Sequence, residues 1–319
     1  MKPIYWLVFK IQGGRGMAAN PDGSKFRGVG TALITPFDKH GDVDEVAMEW
    51  LIERQIEAGI SFLVPSGTTG EAPCLSHREQ MDLNAFVVRT VNGRVPVVAG
   101  TGSNNTAEAA RLTRAAFSAG ADGALLTSPY YNKPMSAGFH DYYKCVAEAG
   151  LPVILYDIPG RTAKSVPLDV ILELRDGGYI AGIKWASGDL EQLKAVVNGA
   201  PEGFSVLSGD DDRTLELMTL GGHGVISVLS NLLPVQMARM VKAADNKDWD
   251  EAKRRHEDLS PLMKAMFIET NPQPIKTAMS MVHPEIIWQR FRSPMMPMEP
   301  ANQEKLLRVL QEYNLVGVR

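Results

Sequence analysis

From Val29 onward, short runs of apolar and β-branched residues alternate with longer stretches whose apolar positions recur at helical spacing. The runs read "VGTALITPF", "FLVPSG", "VPVVAGT", "GALLTSPY", "PVILYDIP", "IAGIKW", "FSVLSGDD" and "GVISVLSN". Between them lie segments such as "DVDEVAMEWLIERQIEAG", "NTAEAARLTRAAFSAG" and "DLEQLKAVVNG". Several open on Asp, Ser or Asn and close on Gly, which suits helix caps at the two ends. Strands that are apolar throughout imply a parallel sheet covered on both faces. Eight such strand–helix units, with no break in composition, predict an α/β fold: a closed (β/α)8 TIM barrel over residues 28–246. An open doubly wound sheet is the rival. Its dinucleotide fingerprint, a glycine-rich turn opening a helix with an acid about 20 residues later, is absent.

After Asn246 the pattern changes. "WDEAKRRHEDLSPLMKAMFIE", "PIKTAMSMV" and "NQEKLLRVLQEYN" read as helices with no strands between them. Residues 247–319 are therefore expected to form a C-terminal helical appendage packed on the barrel or on a neighbouring subunit. At the other end, the apolar run Ile4 to Phe9 is shorter than the roughly 7–15 residues of a signal-peptide core. Residues 1–27 read as a flexible N-terminal extension. No run approaches the roughly 18 apolar residues of a membrane span.

Composition narrows the function classes. The chain has 319 residues, is 45% hydrophobic and carries a net charge of −4, with acids and bases interspersed. No basic stripe marks a nucleic-acid partner. Cys74 and Cys145 form no close-spaced pair, so a reducing cytoplasm is the expected compartment. The six histidines show no metal-ligand spacing, and no metal is expected.

In a barrel the chemistry sits at the C-terminal strand ends and in the loops that follow. Those positions carry Thr68 and Thr69 in "SGTTGE", Tyr130 and Tyr131 in "SPYYNKP", and Tyr156 and Arg161 in "LYDIPGRT". Lys184 ends the sixth strand in "IAGIKW". An amine among apolar walls has its charged form disfavoured and its pKa drawn toward neutrality. A neutral lysine condenses with a ketone to give a Schiff base, and the protonated imine acidifies the adjacent carbon. Tyr156, one strand away, is placed to shuttle protons, with Thr68 and Tyr131 as relay partners. Thr69 and the N–H groups of its turn offer a nest for a carboxylate, and Arg161 a planar fork for a second. Gly209 permits close backbone approach near the seventh strand. Asp210, Asp211 and Asp212 read as a solvated helix start.

Taken in order and spacing, "GTTGE", "AGTGSNNTAEA", "TSPYYNKP", "LYDIPGRT", "GIK", "LSGDD", "GGHGVISV" and "ETNPQPIK" resemble the dihydrodipicolinate synthase family. That family belongs to the pyruvate-dependent class I aldolases, with N-acetylneuraminate lyase. The resemblance covers nearly the whole chain from Gly28. It implies that Lys184 forms the imine with pyruvate and that Tyr156 is the general acid/base. Thr68 would join Tyr156 to Tyr131, which reaches the active site of a neighbouring subunit. Thr69 would hold the pyruvate carboxylate, Arg161 the carboxylate of L-aspartate 4-semialdehyde, and Gly209 and the Ile226 carbonyl would border the imine site. No external cofactor is implied, and the expected assembly is a cytoplasmic homotetramer serving lysine biosynthesis.

Two departures stand out. Many members carry an acidic residue after the lysine, where this chain has Trp185, whose bulk at the rim is expected to reshape the pocket for the second substrate. His77, Asn104, Glu108 and Tyr130 match the effector site of lysine-inhibited members. Gln80, however, stands where a histidine is common, and Ala72 and Pro73 where a serine and an alanine occur, so the sequence leaves the effector response open. Besides the synthase, two readings stand: a related lyase or dehydratase acting on a sialic or keto-deoxy sugar acid, and a non-catalytic barrel that senses a keto acid.

Overall fold

The computed structural model of the chain describes residues 22–317. Eight strands, β1 (Gly28–Ala32), β2 (Phe62–Val64), β3 (Val98–Gly100), β4 (Gly123–Thr127), β5 (Val153–Asp157), β6 (Gly182–Trp185), β7 (Ser205–Ser208) and β8 (Gly224–Ser227), form one parallel sheet in the order β2-β1-β8-β7-β6-β5-β4-β3. The outer strands of that order meet through Leu63 N–H donating to the Pro96 carbonyl (3.0 Å) and Gly100 N–H to the Pro65 carbonyl (2.9 Å). The result is a TIM barrel, with helices between successive strands and three more, Trp249–Ala265, Gln273–Val282 and Pro300–Glu312, after the helix that follows β8.

Alternation along each strand divides the apolar residues into two cores. Ala32, Phe62, Val64, Val98, Leu125, Ile154, Leu207 and Ile226 point inward and pack together in the barrel. Their neighbours, among them Leu63, Leu126, Leu155, Ile183, Val206 and Val225, point outward into the layer under the helices. The interior is narrow, and Gly30 shows why small residues alternate with large ones there. A Cβ at Gly30 would lie 2.1 Å from the Phe62 ring.

The expected N-terminal extension lies outside the described residues as far as residue 21. Residues 22–27 are anchored to the barrel. Gly23 N–H donates to the Gly203 carbonyl at 2.8 Å, and Ser205 Oγ donates to the Phe26 carbonyl. Phe26 is fully buried in the inner core, edge-on to Phe62 with ring centroids 6.1 Å apart. The extension expected over 1–27 is thus corrected for its last residues, because a buried aromatic ring ties them down.

The same alternation corrects the reading of Trp185. Lys184 faces the barrel interior, so its neighbour must face outward, and Trp185 is buried in the outer core with Arg213 over its ring at 5.2 Å. It does not reach the rim. Its register partner on β5 is Asp157, also outward and fully buried. Asp157 Oδ1 accepts the Val166 N–H at 3.0 Å, whereas Oδ2 has no partner among the described residues. Burial raises the Asp157 pKa to about 6, against the opposing pull of the Val166 N–H.

A carboxyl whose folded pKa lies above its unfolded value of about 3.9 binds its proton more tightly in the folded state, so the folded chain loses stability as pH rises from about 4 through 6. Asp157→Asn removes that loss while keeping an acceptor for Val166. Urea denaturation at pH 4 and pH 8 is expected to show the substitution's stability advantage growing by about 2 kcal/mol toward pH 8. An advantage independent of pH would contradict a charged Asp157 in the folded state above pH 6.

Candidate active site

Lys184 and Tyr156 are register partners on β6 and β5, both directed into the C-terminal mouth of the barrel. The Lys184 Nζ sits 4.2 Å from the centroid of the Tyr156 ring. Only 5% of the lysine is exposed. Burial lowers its pKa to about 8, with Asp210 and Asp211 pulling upward and Arg161 downward. About one molecule in ten then carries a neutral amine at pH 7, against ~1 in 3,000 for an unperturbed lysine. Burial also holds the Tyr156 phenol above its ordinary value, with Asp210 adding to the rise, so the hydroxyl stays protonated and available as a donor. Gly209 clears the space: a Cβ there would lie 3.3 Å from Lys184 Cε and 2.7 Å from Ala186 Cβ.

The cleft above the amine brings together Thr68, Thr69, Tyr156, Arg161, Lys184 and Gly209. Ile226, on β8, lies in the inner core below. The "GTTGE" turn closes on itself, with Gly70 N–H donating to the Gly67 carbonyl (3.1 Å) and Glu71 N–H to the Thr68 carbonyl (3.1 Å). Thr35 Oγ1 ties it down by donating to the Gly70 carbonyl at 2.6 Å. The Thr68 and Thr69 N–H groups have no acceptor among the described residues, so with the Thr69 hydroxyl they make a donor nest fit for a carboxylate. Arg161 enters on the short helix Pro159–Thr162.

Not every expected residue meets here. Tyr131 is 90% exposed, with φ of +70°, and does not line the cleft of its own chain. The acidic triplet is not a solvated helix start. Asp210 lines the cleft, and Asp211 is buried with Oδ2 accepting the Val228 and Leu229 N–H groups at 3.0 and 2.9 Å; only Asp212 is exposed. The four effector candidates lie away from the cleft. His77 Nε2 stands 3.5 Å from Glu108 Oε2, and the Asn104 carbonyl accepts Asn132 Nδ2 (2.8 Å) from the loop that carries Tyr130. Gln80 is occupied locally, donating to the Ala72 and Leu75 carbonyls at 2.8 and 3.3 Å.

The C-terminal region supplies residues to the site that sequence reasoning did not single out. Phe267 and Asn271 line the cleft. Lys276, on the helix Gln273–Val282, is fully buried and donates to Glu71 Oε1 at 2.5 Å, under the threonine turn. Its Nζ also lies 4.0 Å from the Phe37 ring centroid. Glu71 Oε2 accepts the Arg292 N–H at 3.1 Å. Glu71 has a left-handed backbone, φ +54°, so the pair holds a strained residue whose charge is sealed from water. A fully buried ion pair survives only with such geometry. The one sequence signal was the lysine in "NPQPIK", a charge inside an apolar helical run.

The fold and cleft define a TIM-barrel protein with a buried amine at a strand end. The chain belongs to the dihydrodipicolinate synthetase family, whose description matches residues 25–313. It is 46% identical over 293 residues to the 4-hydroxy-tetrahydrodipicolinate synthase of Syntrophus aciditrophicus, covering 92% of this chain and 100% of that relative. The crystal structure of dihydrodipicolinate synthase from Aquifex aeolicus is similar at 41% identity and a TM-score of 0.88, covering 91% of this chain and 99% of that one. The chloride-inhibited dihydrodipicolinate synthase from Acinetobacter baumannii, complexed with pyruvate, is 40% identical with a TM-score of 0.87, over 91% of this chain and 99% of that one. Among the described residues, no helix is long and apolar enough to cross a membrane.

Lys276→Met strands the Glu71 carboxylate without its partner and is expected to cost about 3–5 kcal/mol of stability in urea denaturation. Adding Glu71→Gln should recover most of that loss, since no unpaired buried charge is then left. A single substitution costing under ~1 kcal/mol would show that the pair does not hold the turn.

Proposed function

We infer that this chain is a 4-hydroxy-tetrahydrodipicolinate synthase, a lyase of the class I aldolase type that condenses pyruvate with L-aspartate 4-semialdehyde in lysine biosynthesis. The observation that carries this reading is the Lys184 amine, buried and with its pKa lowered to about 8, facing a cleft that holds two separate carboxylate-binding groups. The family membership and the relatives' shared activity support it.

Pyruvate seats its carboxylate on the Thr69 hydroxyl and the N–H groups of the turn, which brings its ketone carbon to Lys184. The neutral amine adds to that carbon, and water leaves to give a protonated imine. Loss of a methyl proton then yields the enamine, whose carbon attacks the aldehyde of the second substrate, with Arg161 holding that substrate's carboxylate. The substrate's own amine adds to the imine carbon, closes the ring and releases Lys184. Tyr156 moves the protons at each addition and elimination. The imine is the electron sink, so the scheme needs no external cofactor.

The third hydroxyl of the relay comes from a neighbouring protomer in this scheme. Tyr131, exposed and strained on its loop, reaches into the partner's cleft beside Thr68, within a homotetramer. His77, Asn104, Glu108 and Tyr130 form an effector site outside the cleft. The two free thiols, Cys74 and Cys145, suit a cytoplasmic enzyme.

Borohydride reduction in the presence of pyruvate is expected to fix a covalent adduct on Lys184, and Lys184→Ala should abolish labelling. Turnover with L-aspartate 4-semialdehyde should follow, with no cleavage of N-acetylneuraminate. Cleavage of the sugar acid alone would assign the barrel to the related lyases. Absence of any adduct would leave a keto-acid sensor.

A further inference from the structure

Thr69 and Arg161 come from opposite sides of the cleft, yet one residue touches both. Asn271 Nδ2 donates to Thr69 Oγ1 at 3.0 Å, and the Asn271 backbone carbonyl accepts from Arg161 Nη2 at 2.8 Å. Asn271 is 5% exposed and lines the cleft. It opens the segment that ends in Lys276, whose amine is bonded to Glu71 at the far end of the threonine turn.

A threonine hydroxyl has one hydrogen to donate and two lone pairs. A lone pair taken up by Asn271 leaves the Thr69 hydrogen free to turn toward the cleft. Were Thr69 to donate to the amide oxygen instead, no hydrogen would remain for an anionic substrate. The direction of this one bond therefore decides whether Thr69 can bind a carboxylate.

We propose that Asn271 is a positioning residue: its amide N–H bond to Thr69 aims the threonine hydroxyl at the pyruvate carboxylate, and its backbone carbonyl separately holds Arg161 for the second substrate. The proposal rests on the function inferred above and deepens it. It makes an asymmetric demand, because a side-chain change at 271 touches the pyruvate subsite and leaves the carbonyl that holds Arg161 in place.

Asn271→Ala is expected to raise the pyruvate KM several-fold while the KM for L-aspartate 4-semialdehyde stays within about twofold of wild type. Asn271→Asp is the sharper variant. It is closer in shape, but its carboxylate accepts the Thr69 hydrogen, so the pyruvate concentration giving half-maximal borohydride trapping should rise about tenfold or more, beyond the alanine variant. In a Thr69→Val background the two changes should converge, since the bond they alter is gone. A packing role predicts the opposite order, with the aspartate variant milder. That order, or parallel rises in both KM values for the alanine variant, would overturn the proposal. The alanine comparison stands alone if the aspartate variant does not fold. Failure of wild-type protein to trap pyruvate would overturn the inferred function instead, so the two failures are distinguishable.

Discussion

The desolvation of one amine organises this molecule. Lys184 ends a strand whose inward face is otherwise Gly182, and it meets the Tyr156 ring in place of water. Taking an ammonium out of water costs several kcal/mol after relaxation, and that cost appears as a pKa lowered to about 8, so that about a tenth of the molecules carry the neutral amine at pH 7. Asp210 and Asp211 oppose the loss, Arg161 favours it, and burial outweighs them all. The carboxylates keep the pKa near 8, well above the value of 5–6 seen in fully apolar sites. That balance suits a group that must be neutral to attack and cationic once it has become an imine.

Keeping the amine dry requires a rigid mouth, and the C-terminal region contributes to it through the helix Gln273–Val282 and the loop before it. The Glu71–Lys276 pair spans 205 positions of sequence to pin the strained end of the threonine turn. Asn271 holds the middle of the same turn by its bond to Thr69, across 202 positions. These contacts make the C-terminal region part of the cleft wall, although the same region reads in sequence as a packing appendage.

Legibility followed the range of the interactions. All eight strands could be read because each is a short apolar run set off by capped helices, which is local information. The polar residues at the strand ends could be read once the barrel was assumed, since its topology brings them to one face. Trp185 was readable too: period-two alternation sends it outward whenever Lys184 points inward, and its position next to the lysine in sequence suggested a proximity that the strand geometry forbids. The contributions of Asn271 and Lys276 depend on a loop returning over the mouth, and no periodicity encodes that. Asp211 failed for a related reason, because its acceptor role depends on the N–H groups of Val228 and Leu229, one strand further on. Residues 22–27 carry too few apolar positions to show a pattern, and one ring, Phe26, anchors them.

The central claim is that burial lowers the Lys184 pKa to about 8, so that about a tenth of the molecules carry a nucleophilic amine at pH 7. The direct test is the pH dependence of the rate of imine formation with saturating pyruvate, followed by rapid mixing and borohydride quench. The account predicts a rise with pH whose midpoint lies near 8. A midpoint near 10.5, the ordinary lysine value, would show an amine in contact with bulk water and contradict it.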